Sequence, residues 1–99
     1  MAEIRWTEEA ADWLEDIYSY IAADSRQSAQ RVIEGIYQKA QLLEDHPQAG
    51  YFYKTAGDGE VRILPYGHYR IAYLLPRTRR YVDILGVFHG SLDIERFFR

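Results

Sequence analysis

The chain has 99 residues, no cysteine and a formal net charge of −3 at pH 7. This length suits a single domain over residues 1–99, and 47% hydrophobic residues are enough for a packed core, which excludes a disordered chain. The lack of cysteine excludes disulfides, thiol catalysis and thiolate metal sites.

Charge and hydropathy also bear on location and surfaces. The first 50 residues carry ten acidic and four basic side chains, whereas residues 51–99 carry five acidic and eight basic ones. This asymmetry indicates either two functional surfaces or two ordinary solvated ones. No apolar run approaches the roughly 20 residues that span a bilayer, and no signal-peptide pattern opens the chain. We therefore expect a cytoplasmic protein without membrane contact.

The first half of the chain predicts a short strand followed by a helical hairpin. Residues 3–6 alternate as in a strand, Thr7 is placed to cap one helix and Ser25 a second. Pro47 ends the second helix, because the residue before proline avoids helical angles. Each helix carries an apolar stripe at helical spacing, which indicates packing on a core. Close packing against the first helix would explain Gly35 inside the second.

The second half predicts three strands, because the hydrophobic period changes from 3.6 to 2 over residues 60–65, 69–76 and 80–88. Pro65 cannot donate a ladder hydrogen bond, which predicts an edge or bulged position for the first of them. The third is almost continuously apolar, as in a central strand. The expected fold is α+β: an N-terminal short strand, a helical hairpin and a three-stranded antiparallel meander (β-α-α-β-β-β), with the hairpin packed on one sheet face.

The register of the first two predicted strands depends on the loop between them. A two-residue turn would mix Arg62 with Ile71 and Tyr73 on one face. A three-residue loop, with Gly67 in the left-handed region, would gather Arg62 and Arg70 on the face opposite the apolar side chains. We expect the three-residue loop, because it separates the apolar side chains from the arginines.

Few side chains form a pattern that indicates chemistry. No metal-ligand spacing, phosphate-binding glycine loop or nucleophile elbow is visible, so no metal or cofactor is expected. The remaining polar group lies on the predicted sheet and consists of Arg62, Arg70, Arg79, Arg80, His89 and Arg96. Arg70 lies within a strand, where it could hold a phosphate or carboxylate, or pair with Asp83 on a neighbouring strand. His89 ends a strand, where a surface histidine is equally in place.

Four segments together carry a resemblance that none carries alone. They are Ile4-Arg5-Trp6-Thr7, Pro47-Gln48-Ala49-Gly50, Tyr69-Arg70-Ile71-Ala72-Tyr73 and Val82-Asp83-Ile84-Leu85-Gly86-Val87-Phe88-His89-Gly90. In this order and spacing they resemble the RelE/ParE toxin superfamily over nearly the whole chain. The resemblance implies the toxin of a type II toxin–antitoxin module.

The superfamily divides by target, and the resemblance is greater to the ParE-like branch. RelE-like members cut mRNA on the ribosome, whereas ParE-like members poison DNA gyrase. The helical hairpin here is long, Asp58 and Glu60 stand where RelE-like nucleases carry lysines, and Gly90 rather than tyrosine follows His89. The resemblance thus implies a gyrase inhibitor of the plasmid-stabilisation type and not an enzyme.

Two alternatives stay open. One is a ribosome-dependent mRNA endonuclease, in which Arg70, His89 and Arg62 would be the catalytic candidates. The other is a non-toxic superfamily member that only binds a partner.

The resemblance also implies an antitoxin partner. Such antitoxins lay an extended or helical segment across the toxin and contact operator DNA themselves, so no sequence-specific DNA binding by this chain is expected. The implied target- or antitoxin-binding residues on the sheet are Arg62, Arg70 and His89. Candidates to line an antitoxin groove are Tyr51, Phe52, Tyr53, Arg96, Phe97 and Phe98, with ordinary core packing as the alternative for the aromatic ones.

Overall fold

A helical hairpin covers one face of a five-stranded sheet in the computed structural model, which describes residues 1–90 and positions 94, 96 and 98. The elements in chain order are β1 (Glu3–Trp6), α1 (Glu8–Ala22), α2 (Arg26–Gln41), a 3-10 turn (Leu42–Glu44), β2 (Tyr51–Ala56), β3 (Gly59–Tyr66), β4 (Tyr69–Leu75) and β5 (Tyr81–His89). The predicted α+β arrangement is confirmed. Strand β2 was not predicted from the sequence, and with it the antiparallel meander has four strands.

Both predicted helix caps are confirmed. The Thr7 hydroxyl accepts the N–H of Ala10 at 3.1 Å and donates to the carbonyl of Ile84 at 2.7 Å, so the start of α1 is tied to β5. The Ser25 hydroxyl accepts the N–H of Ser28 at 3.1 Å at the start of α2. Each cap satisfies an amide that the first helical turn leaves unpaired. In the part of the chain that the structure describes, neither helix is long and apolar enough to cross a membrane.

The sheet has the strand order β1-β5-β4-β3-β2, with β1 parallel to β5 and the other pairs antiparallel. Strand β5 is therefore flanked by two strands, as its continuous apolar sequence predicts. Leu85 has no partner on β4, so β5 contains a β-bulge at this residue. The extra residue changes the alternation, so that Ile84 and Val87 both join the core under the helices.

The predicted three-residue loop between β3 and β4 is wrong. Tyr66 pairs with Tyr69, which leaves a two-residue turn in which Gly67 has a φ of 56°. Glycine with positive φ at the first central position is what a type II′ hairpin turn requires, and this turn matches the twist of the strands. Arg62 consequently pairs with Tyr73 and lies on the helix side, whereas Arg70 points to the opposite face.

Strand β3 is an edge strand only near its end. Strand β2 begins at Tyr51, which pairs with Ile63, so Pro65 lies beyond the last pair on that side. In the two-residue hairpin, the backbone of Pro65 turns away from β4. The missing N–H therefore leaves no gap in the ladder.

Apolar side chains lie on both faces of the sheet. The larger cluster, between sheet and helices, includes Ile36, Leu43, Ile71 and Tyr73, all fully buried. The smaller cluster, on the opposite face, consists of Ile63, Ala72, Phe88 and Ile94. Trp13 of α1 packs against both clusters and meets Phe88 edge to face at 4.8 Å between ring centroids.

Gly35 packs against the sheet, which corrects the expectation that it faces the first helix. A Cβ at this position would lie 1.9 Å from the hydroxyl oxygen and 2.7 Å from the ring of Tyr66 on β3. The missing side chain thus lets α2 approach the end of β3.

We expect Gly35→Ala to destabilise the protein, although alanine is the better helix former by roughly 1 kcal/mol. The added methyl overlaps the Tyr66 ring, and overpacking of this kind costs about 1–3 kcal/mol. Urea unfolding measures the change. In a Tyr66→Ala background the same substitution should become neutral or stabilising, and an equal loss in both backgrounds would contradict the assigned contact.

Candidate interaction surfaces

Two side chains of the sheet hold the segment Pro47–Gly50. The buried hydroxyl of Tyr73 donates to the carbonyl of Pro47 at 2.7 Å and accepts the N–H of Gly50 at 3.0 Å. Arg62 donates to the carbonyl oxygens of Gly50 and Gln48. A Cβ at Gly50 would lie 2.7 Å from the Tyr73 ring, which explains the glycine. The Pro-x-x-Gly segment is thus held by Tyr73, the last residue of the Tyr-Arg-Ile-Ala-Tyr segment.

The guanidinium of Arg62 is used within the chain. Its Nε donates to Glu60 Oε1, its Nη1 makes the two carbonyl contacts, and the side chain is only 16% exposed. Burial raises the pKa of the neighbouring Tyr73 phenol, which stays neutral. Arg62 therefore has few donors left for a partner, and its first role is structural.

The structure places Arg70 and His89 on opposite faces of the sheet. His89 pairs with Tyr69 and Arg70 pairs with Phe88, so the two side chains occupy adjacent positions of opposite orientation. The alternative of an ion pair between Arg70 and Asp83 is not observed, because Arg5 binds Asp83 through two contacts of 2.7 and 3.1 Å. Within residues 1–90 and the described C-terminal positions, Arg70 has no ion pair.

His89 borders a largely apolar cleft at the end of α1. The cleft has a volume of about 470 Å³ and is lined by Trp13, Asp16, Ile17, Tyr20, Tyr69, Val87 and His89. The His89 ring lies 5.4 Å from that of Tyr69 and 6.1 Å from that of His68. Burial raises the pKa of Tyr69, and the electrostatic effect of Tyr20 adds a smaller increase. Tyr20 is not among the site residues predicted from the sequence, although it extends the helical spacing of Trp13 and Ile17.

The aromatic candidates for an antitoxin groove are divided between the two faces. Tyr51 pairs with Ile63 and shares the face opposite the helices, whereas Phe52 pairs with Arg62 on the helix side; each is 51% exposed. Tyr53, at a bulge, packs on Phe98 with 5.3 Å between ring centroids. Arg96 is exposed, and Phe97 lies outside the described residues. Since β2 is an edge strand, Tyr51 and Phe52 flank an open backbone edge.

The two other arginines of the predicted polar group lie far from His89. Arg79 and Arg80 belong to the loop between β4 and β5, at the opposite end of β4 from Tyr69 and His89. Among the described residues no three histidine, aspartate or glutamate side chains are grouped closely enough to hold a metal ion.

Comparison with known proteins gives a family match and several structural neighbours. The family model described as ParE toxin of type II toxin–antitoxin system, parDE, matches residues 4–94. The chromosomal ParDE toxin–antitoxin system from P. aeruginosa contains a similar chain, with a TM-score of 0.72, 20% identity, and coverage of 92% of this chain and 98% of that one. A comparison with curated proteins found no match.

Two further neighbours come from toxin–antitoxin complexes. The RelBE2 complex from Mycobacterium tuberculosis aligns with a TM-score of 0.65 and 20% identity, covering 89% of this chain and 96% of that one. The archaeal RelE–RelB complex from Pyrococcus horikoshii OT3 aligns with a TM-score of 0.60 and 15% identity, covering 91% and 96%. At these identities the likeness is one of fold.

We expect Tyr73→Phe to lower the free energy of unfolding by about 1–3 kcal/mol, because the buried N–H of Gly50 loses its acceptor. Urea unfolding followed by circular dichroism measures the loss. Tyr20→Phe is the matched control, since this tyrosine is 84% exposed and should change stability by less than about 0.5 kcal/mol. Equal effects of the two substitutions would show that the Tyr73 hydroxyl does not hold the segment.

Proposed function

Since the chain belongs to the ParE toxin family of type II toxin–antitoxin systems, we propose that it inhibits DNA gyrase in the cytoplasm and is neutralised by a cognate antitoxin. The observation that carries the choice of target is the separation of Arg70 and His89 by the thickness of the sheet. This separation bears directly on the nuclease alternative.

Cleavage of RNA through the 2′-hydroxyl needs a base, an acid and positive charge around a single phosphate. Arg70 and His89 point away from each other, and Arg62 is held by Glu60 and by backbone carbonyls. The three residues that a RelE-like nuclease would need here therefore do not converge on one point. A toxin that acts by binding its target needs no such convergence, which favours the gyrase inhibitor.

The antitoxin contact is assigned to the edge strand β2. Its outer backbone groups have no strand beside them in the described part of the chain, and Tyr51 and Phe52 each leave half of their surface exposed. An extended segment added along β2 would pair with this edge and cover one aromatic ring on each face. The structural neighbours come from toxin–antitoxin systems and complexes, which supports an antitoxin partner.

Two assays run with the same purified toxin test the target. We expect loss of gyrase supercoiling, while ribosome-bound mRNA stays intact. Arg70→Ala should weaken inhibition roughly tenfold, the effect of losing about 1.4 kcal/mol of binding free energy. Arg31→Ala is the matched control, because Arg31 is exposed on α2.

The other outcomes of these assays are equally specific. Cut mRNA with active gyrase would identify a RelE-like nuclease and reject the proposal. The absence of both effects, from a toxin that circular dichroism shows to be folded, would identify a non-toxic, partner-binding member.

Affinity for the co-expressed antitoxin tests the assignment to β2. We expect Tyr51→Ser and Phe52→Ser each to raise the dissociation constant at least tenfold, because each removes an aromatic anchor beside the paired edge. Tyr20→Ser, which changes an exposed aromatic residue on the His89 cleft, should leave affinity unchanged. If only Tyr20→Ser weakens the complex, the antitoxin binds at the cleft and the assignment to β2 is wrong.

A further inference from the structure

Three arginines occur within four consecutive exposed positions of the β4–β5 loop, at Arg77, Arg79 and Arg80. The ion pairs found among residues 1–90 and positions 94, 96 and 98 are Arg5–Asp83 and Arg62–Glu60, and neither involves this loop. Three cations without an ion-pair partner thus lie side by side on a chain whose net charge is negative.

The loop backbone is fixed at both ends. The N–H of Arg79 donates to the carbonyl of Pro76 at 3.0 Å, and the N–H of Glu3 on β1 donates to the carbonyl of Arg80 at 2.9 Å. Pro76 itself is buried. Because the backbone is held in one shape, a partner would order only the arginine side chains on binding.

The backbone of Arg79 is strained. Its φ is 58°, and it is the one residue other than glycine with positive φ in the described part of the chain. Glycine adopts this region without the clash that a Cβ causes. Arginine at this position therefore costs backbone free energy that glycine would avoid.

The charges around the loop leave it open to an anion. With Arg77 and Arg79, the carboxylates of Asp58 and Glu60 line a cleft of about 320 Å³, and Glu60 is already paired with Arg62. Among the described residues, two exposed carboxylates beside the loop have no such pair: Asp58, which lines the cleft, and Glu3, whose N–H bonds the carbonyl of Arg80. The carboxylate of Asp16 on α1 lines the cleft beside His89, at the far end of β4. That end of the strand is about 20 Å from the loop, which exceeds the Debye length of about 8 Å in physiological salt.

We propose that the loop Arg77–Arg80 binds the phosphate backbone of nucleic acid without reading its sequence. Guanidinium groups pair with phosphate oxygens through two parallel hydrogen bonds, and the hydroxyl of Thr78 adds another donor. The exposed positions of the loop offer no aromatic or apolar anchor, which a protein partner would need. This inference goes beyond the proposed gyrase target and does not depend on it.

Three phosphate contacts on an acidic protein give weak binding, which is measurable at low salt. Fluorescence anisotropy of a labelled 20-base-pair duplex of arbitrary sequence, between about 10 and 100 mM salt, should give a slope of log K against log salt near −2.7. A single-stranded RNA of the same length should give about −2.1, because the single strand condenses fewer counterions. The two slopes distinguish binding to the phosphates of a duplex from binding to those of a single strand.

Charge-matched variants isolate the loop. Arg77→Gln with Arg80→Gln should reduce the duplex slope to about −0.9 and weaken binding at least tenfold at about 20 mM salt. Arg26→Gln with Arg31→Gln removes the same charge from exposed positions of α2 and should change little. Arg79→Gly should lower affinity without lowering the melting temperature, because it relieves the strained backbone. Asp58→Asn should strengthen binding.

Several results would overturn the assignment. The first is that the wild-type toxin does not bind the duplex at the lowest salt. The second is that the loop and helix double variants weaken binding equally. The third is that a poly-glutamate of equal charge binds as tightly as the duplex. The last result would identify a general anion surface and not a phosphate-backbone site. Gyrase inhibition need not change in any of these variants, so the two proposals can fail separately.

Discussion

The contact between the Tyr73 hydroxyl and the segment Pro47–Gly50 joins the two halves of the molecule. The helical hairpin and the sheet meet through this segment, which leads from the 3-10 turn after α2 into β2. Tyr73 is fully buried, so its two hydrogen bonds form away from water, where an unpaired amide is costly. Because the ring occupies the space of a side chain at residue 50, the segment accepts only glycine there.

Features set by local chemistry were predictable from the sequence. The caps at Thr7 and Ser25 follow from side chains that reach the amide three residues on, and the interior position of β5, with a strand on each side, follows from its apolar run. Strand β2 escaped prediction because it is an edge with a bulge at Tyr53, and both features remove the alternation that marks a strand.

The candidate site was harder to predict, because it depends on contacts between residues far apart in sequence. An arginine on an apolar face is unfavourable unless its donors are satisfied, and this rule favoured the wrong register. Arg62 is satisfied by Glu60 and by the carbonyls of Gln48 and Gly50, which are 14 and 12 residues away. That single register then decides which face Arg70 occupies. Sequence alone identified the residues but could not assign them to faces.

The parallel pairing of β1 with β5 has a consequence for how the protein is made. Arg5 and Asp83 meet across 78 residues, and β5, which lies between β1 and β4, is the last strand to be synthesised. At roughly 5–20 residues per second, the ribosome needs several seconds to reach β5. The helices and the β2–β4 meander can form from contacts between neighbouring elements during this time, whereas β1 waits for β5, the strand that joins it to the rest of the sheet. The pairing of β1 with β5, and with it the ion pair between Arg5 and Asp83, therefore forms only after β5 has been synthesised.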